Sequence, residues 1–222
     1  MSQQTSAATA RREPPDEKMS YKAFLEWLDE DTVAEWIDGE IVIASPASDR
    51  HQDLVRFLTA LLSFYVESEG LGVNRLAPFQ MKLENGREPD LLFLANENLE
   101  RLRETYLDGP ADMVVEIVSP ESAARDRGEK FYEYEAGGVP EYWLIDPLRE
   151  RAEFYQMVGD RYQMAAIDAN GVYRSAALPE FWLRVGWLWA RPLPPLVKVL
   201  GEIGVLPRGA PDATGGDAGP SE

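Results

Sequence analysis

The chain predicts an α/β fold: a mixed sheet flanked by helices, with an N-terminal hairpin and antiparallel strands towards the C-terminus. Three features carry that expectation. A hairpin signal centres on Asp38-Gly39, a long amphipathic segment follows Ser48, and a strand–helix–strand unit spans Asp112 to Asp146. Hairpins early and a crossover unit later combine antiparallel and parallel pairing in one architecture. The 222 residues suit one domain with a real core. Residues 1–18 (Ser, Gln, Thr, Ala, Arg, Pro) and 207–222 (Pro, Gly, Ala, Asp) read as disordered tails around a single domain at 19–206.

Taken in order, Ser20 caps a short helix to about Glu30, with Phe24, Trp27 and Leu28 on its apolar side. Strands Val33–Ile37 and Glu40–Ala44 follow, turned by Asp38-Gly39, a two-residue hairpin signal. Ser48 opens the longest helix, ending near Gly70, whose Leu54, Phe57, Leu58, Leu61, Leu62 and Tyr65 recur at helical spacing. Strands are expected at 72–76, 78–83 and 90–94, with Asn85-Gly86 turning between the last two. A short helix at 96–105 leads to a strand at 113–119. A helix at 122–136 closes on Gly137-Gly138, and the strand Glu141–Asp146 comes next. Further strands are expected at 151–158, 161–167 and 181–189, the last rich in aromatics (Phe181, Trp182, Trp187, Trp189) that complete the core or form a homodimer face.

Composition narrows the chemistry. With 45% hydrophobic and 27% charged residues the chain is that of an ordinary soluble protein. No apolar run reaches about 18 residues, so no membrane span is expected. Met1 to Lys18 lacks the apolar stretch of a secretory signal. Zero cysteines suit a reducing cytoplasm, and with a single histidine, His51, they exclude ordinary structural zinc sites. Any metal would be held by oxygen, which favours magnesium, manganese or calcium. The net charge of −17 argues against a broad basic face for nucleic acid. A bound metal can nonetheless supply positive charge locally. The local cations available to phosphates are Arg50, Arg56, Arg87, Arg125, Arg127 and Lys130.

The chemistry centres on two carboxylates in strands. Asp112-Met-Val-Val-Glu-Ile-Val-Ser119 reads as a buried strand with Glu116 among valines and isoleucine. An ionised carboxylate there costs several kcal/mol unless a cation or hydrogen bonds compensate it. Pro89-Asp-Leu-Leu-Phe-Leu94 repeats the pattern, with Asp90 heading an apolar run. Two acids on neighbouring core strands suggest a divalent-metal site. Lys130 joins them by chain geometry. From Glu116 to Ser119 is about 10 Å of strand, and from Ser122 to Lys130 about 12 Å of returning helix. Each residue also has an ordinary role open to it. Asp90 can be a strand-start residue, Glu116 half of a structural ion pair with an arginine, and Lys130 an exposed i, i+4 partner of Asp126.

These motifs resemble a known family. Glu88-Pro-Asp-Leu-Leu-Phe93, Val114-Val-Glu-Ile-Val-Ser-Pro120, Asp126-Arg-Gly-Glu-Lys130 with Tyr134, and Gly138-Val-Pro-Glu-Tyr-Trp-Leu-Ile-Asp-Pro147 are similar to the hallmarks of Uma-type restriction endonucleases. So are Asp38-Gly-Glu40, Ser45-Pro46 and His51. That family is a branch of the PD-(D/E)XK nucleases, and the resemblance covers about residues 20–190. It implies a restriction-endonuclease-like core and metal-dependent cleavage of DNA, with Asp90 and Glu116 holding Mg2+ or Mn2+. The lysine expected two residues after Glu116 is replaced by Val118. The resemblance therefore passes the role of aiding the attacking water to Lys130. Glu40 resembles an extra upstream acid, or is a surface carboxylate beside a turn. His51 is a general base, a phosphate contact or a helix-terminal structural residue. Tyr134 reads as core packing that orients the lysine. The competing function is a catalytically inactive module that keeps the fold and binds DNA or a protein partner. A serine hydrolase is disfavoured: there is no nucleophile elbow, and one histidine would have to serve every role.

Overall fold

The computed structural model describes residues 13–15, 17–29 and 32–206. Most of both expected tails lies outside the described residues. Helix α1 (Tyr21–Trp27) starts where Ser20 accepts a hydrogen bond from the Ala23 amide. The expected end near Glu30 also lies outside the described residues, and the helix itself stops at Trp27. Strands β1 (Ala34–Ile37) and β2 (Glu40–Ile43) pair antiparallel in the expected register, with Ile37 opposite Glu40. Their turn holds Asp38 at φ 50° and Gly39 at φ 91°, the doubly left-handed geometry such a hairpin requires. Helix α2 (Asp49–Glu69) is capped by the Ser48 side chain and stopped by Gly70 in the left-handed region. All six apolar positions read from its periodicity are buried.

The centre of the molecule is a six-stranded sheet in the order β11-β10-β9-β8-β6-β3. Its strands are β3 (Gly72–Leu76), β6 (Leu91–Ala95), β8 (Met113–Ile117), β9 (Glu141–Asp146), β10 (Arg151–Val158) and β11 (Arg161–Met164). Only β8 and β9 run parallel within it, joined by the helical crossover. One face packs on α2: Leu58, Leu61 and Leu62 meet Phe93, Val115 and Trp143. The other face packs on helix α4 (Glu129–Gly137) and on a second sheet, with Tyr134, Met81 and Leu107 meeting Leu92, Val114 and Leu144. That second sheet, ordered β2-β1-β5-β4-β7, adds β4 (Gln80–Lys82), β5 (Gly86–Arg87) and β7 (Tyr106–Asp108) to the N-terminal hairpin.

Several elements differ from the sequence expectation. The strands at 78–83 and 90–94 do not form a hairpin on Asn85-Gly86. That turn joins β4 to the short β5, and β6 goes to the central sheet. The helix at 96–105 is a 3-10 turn at Asn96–Arg101, after which the chain extends into β7, parallel to β4. The strand at 181–189 becomes β13 (Trp182–Arg184) followed by a 3-10 turn at Val185–Trp189. β13 pairs with β12 (Val172–Arg174), which the pattern had not marked, and Phe181, Leu183 and Leu188 are buried in the main core. The aromatic segment thus completes the core. A terminal helix, α5 (Leu196–Glu202), packs on α2.

The helix expected at 122–136 is broken in two, and the break matters for the site. Helix α3 (Ala123–Arg127) ends at Gly128 and α4 begins at Glu129. A Cβ at Gly128 would stand 2.8 Å from the Ala124 carbonyl oxygen. No side chain fits that joint without displacing backbone. Gly128→Ala is therefore expected to destabilise the protein by about 1–3 kcal/mol, as overpacking does. Urea unfolding measures the loss, and an unchanged midpoint would contradict a rigid joint here.

Candidate active site

The β6–β8 register, Leu91 opposite Val115, brings Asp90 opposite Glu116 when continued by one residue. Asp90 is fixed on both oxygens. Oδ2 accepts the Ile117 amide at 2.7 Å, and Oδ1 lies 3.2 Å from His51 Nε2. Glu116 is buried, and its Oε1 accepts from Lys130 Nζ at 2.9 Å and from the Tyr134 hydroxyl at 2.8 Å. Among the described residues no hydrogen bond ends on Glu116 Oε2. Lys130 is buried too, 5% exposed, which removes the exposed i, i+4 role open to it in the sequence. Its ammonium also lies 2.8 Å from Glu35 Oε1 and 3.6 Å from Asp126 Oδ1. Asp90, Glu116 and Lys130 line one cavity of about 690 Å3, together with His51, Glu35 and Glu88.

Glu40 stands apart from this group. It lies at the turn end of β2, its side chain is 67% exposed, and it pairs with Lys18 at 3.4 Å. The upstream acid that reaches Lys130 is Glu35, one strand earlier. The sequence carried a signal for it: Glu35 between Ala34 and Trp36 is the same anomaly as Glu116 among valines. Arg87, a local cation in the sequence reading, belongs to the same network. It is 1% exposed and holds Glu35 at 3.3 Å and Glu133 at 2.7 Å, tying β1 to α4. Glu88 is buried as well. Its Oε2 accepts from Gln80 and Ala34, while its Oε1 is buried with no partner among the described residues.

Burial and crowding set the protonation of the cluster. Burial, with Asp126, Asp90 and Glu35 adding like charge, pushes the Glu116 carboxyl up to about 8 against the pull of Lys130. Glu88 is pushed up to about 8 by burial and Glu35, opposed by its hydrogen bonds from Ala34 and Gln80. Asp126 rises, chiefly through burial, although Lys130 and Ser122 oppose the rise. Burial would raise Glu35 as well, but Lys130 and Arg87 hold it below the usual range. Burial pulls on Lys130 from the other side, yet Glu116, Glu35 and Asp126 keep its ammonium well above the ordinary lysine value. His51 is lowered by burial and raised by more through Asp90.

Residues 21–186 match the Uma2 family model, described as "Putative restriction endonuclease". The chain belongs to the Uma2 family. Asp90, Glu116, Lys130, Glu35 and His51 all fall inside the matched region. An uncharacterized protein, sll1609 of Synechocystis sp., is 29% identical over 131 residues, which are 58% of this chain and 74% of that protein. A crystal structure of a "putative nuclease belonging to DUF820" from Anabaena variabilis aligns with a TM-score of 0.63 and 16% identity. That alignment covers 76% of this chain and 96% of the other, and it shows a shared fold.

The raised Glu116 carboxyl makes a pH prediction for this Uma2 domain. Its folded pKa of about 8 exceeds the ordinary 4.5, so the folded state keeps a proton that the unfolded chain releases. Its contribution to stability is full below the unfolded value and is lost as pH rises towards 8. Glu116→Gln removes that slope. Urea unfolding in chelator should show the variant gaining on wild type between pH 5 and pH 8, the window set by these two values. A difference independent of pH would mean that Glu116 is ionised throughout as half of a fixed ion pair.

Proposed function

We propose that this Uma2 chain is a metal-dependent endonuclease hydrolysing DNA phosphodiester bonds, with Asp90 and Glu116 holding the metal and Lys130 aiding the attack of water. One observation carries the reading: Asp90 just before β6, Glu116 on β8 and Lys130 on α4 line a single cavity. The donor chemistry fits a hard cation. The donors are carboxylate oxygens, Glu116 Oε2 is free of hydrogen bonds among the described residues, and the carboxylates around Lys130 outnumber its one charge. No group of three His, Asp or Glu side chains among the described residues could hold an ion by itself. A pair of carboxylates is enough in number for magnesium or manganese, since Mg2+ commonly takes one or two carboxylates and completes its shell with water and substrate phosphate. When bound, such an ion supplies positive charge to the phosphate and acidifies the attacking water.

The chain's own groups divide the remaining work. The Lys130 ammonium, kept charged by its carboxylates, offsets negative charge that develops on the phosphate. Being so firmly protonated, it acts as an electrostatic and hydrogen-bonding group and not as a base. Tyr134 fixes the plane of Glu116 through its hydroxyl. His51 and the Ile117 amide fix Asp90 from two directions.

The test is a cleavage assay on single- and double-stranded DNA with Mg2+ or Mn2+. Asp90→Asn and Glu116→Gln should abolish cleavage. Lys130→Met should lower it by about 10²–10³-fold, the loss typical of one removed charge-stabilising donor. Retained activity in the Asp90 variant would remove the metal role. Binding without cleavage under every metal would leave the non-catalytic module, which the net charge of −17 favours.

A further inference from the structure

The cations available to phosphates are mostly committed elsewhere. Arg87 is buried between Glu35 and Glu133. Arg127 holds Asp146 at 2.9 Å, Arg56 pairs with Asp53 at 3.2 Å, and Arg50 donates to the Leu188 carbonyl. Lys130 is shared by three carboxylates. Arg125 differs. It lines the cavity, makes neither an ion pair nor a side-chain hydrogen bond among the described residues, and its Nε is buried without a partner. Arg125 acts on Glu35 through its field, but no described carboxylate lies within ion-pair distance of it, so in a chain of net charge −17 its guanidinium stays open to an anionic ligand.

The rest of the cavity limits what that anion belongs to. A protein that grips a nucleic acid backbone electrostatically often neutralises about 6–10 phosphates of a duplex. Among the described residues this cavity offers one uncommitted cation, Arg125. Its volume of about 690 Å3 falls within the range of small-molecule clefts, roughly 300–1,000 Å3. Its walls include Val33, Ile43, Val55 and Leu76, and of these Val33 is 40% and Leu76 47% exposed. Exposed aliphatics beside a lone guanidinium suit an unpaired nucleotide, whose base covers apolar surface while its phosphate takes the charge.

Building on the nuclease reading, we infer that Arg125 binds a backbone phosphate of a single-stranded nucleic acid segment, so that the site takes an unpaired strand or strand end in preference to intact duplex. The guanidinium presents its donors in a planar fork to the phosphate oxygens. Arg125 is thereby a substrate-binding residue, separate from the metal-holding carboxylates.

The test uses the full chain and a short fluorescein-labelled oligo-dT strand, with a blunt duplex of the same length, in calcium and in chelator. Anisotropy should show the strand bound more tightly than the duplex. Arg125→Gln should weaken strand binding about tenfold, as loss of a charged hydrogen bond does. It should also flatten the salt dependence by about 0.7, one phosphate's share on a single strand. Arg125→Lys should restore part of that slope, and Arg174→Gln, exposed on β12, should change neither quantity. Duplex bound as tightly as strand, or an unchanged affinity in a folded Arg125→Gln, overturns the inference. Cleavage that needs Asp90 but ignores Arg125 overturns it while the nuclease reading stands. Strand binding that depends on Arg125, without cleavage under any metal, supports it while the nuclease reading falls.

Discussion

The buried ammonium of Lys130 is the interaction on which the rest of the site depends. It joins Glu35 on β1, Glu116 on β8 and Asp126 on α3, three segments brought together from distant parts of the chain. Arg87 extends the chain of charge from Glu35 to Glu133 on α4. The network therefore bridges the two sheets on the side where α4 packs. Such a network is not a cheap source of stability, because desolvating each ion costs several kcal/mol. Its members hold one another in place, and removal of any one strands the rest in a low-dielectric interior.

A second carboxylate in the same sheet shows what a purely structural solution looks like. Glu141 on β9 is fully buried and accepts from Trp143, Tyr173, Ser175 and the amides of Ala176 and Ala177. Each of its oxygens has donors, and it does not line the cavity. It pins the β12–β13 ribbon to the sheet. Glu116, one strand away, spends its donors on one oxygen only and faces a cavity. The contrast separates a carboxylate with donors on both oxygens from one whose donors, among the described residues, fall on a single oxygen.

Much of this was legible in the sequence because it rested on local signals. The periodicity of α2, the positive-φ turn at Asp38-Gly39 and the apolar setting of Glu116 are each readable from neighbouring residues. Rise per residue alone brings Lys130 to the level of Glu116, and the two meet although Gly128 breaks the expected helix. What escaped depended on distant pairing. The division of strands between two sheets rests on β5 pairing with β1 and β7 with β4, which no local pattern encodes. The family resemblance points to Glu40 beside the turn, whereas the acid that meets Lys130 is Glu35, towards the other end of the hairpin. The strand at 181–189 was overextended because a run of aromatics satisfies a 3-10 turn as readily as a strand once both pack on the same core.

Whether Asp90 and Glu116 hold an ion, as proposed, is tested by direct binding without reference to cleavage. Titration of the metal-free chain with Mn2+, followed by calorimetry and by the loss of the free-ion paramagnetic resonance signal, measures stoichiometry and affinity together. Saturable binding of a single tight ion per chain is expected, with at least about a tenfold loss of affinity in Asp90→Asn, on the scale for disturbing a metal site. Equal affinity in the variant, or no saturable binding by the folded wild-type chain, would contradict it.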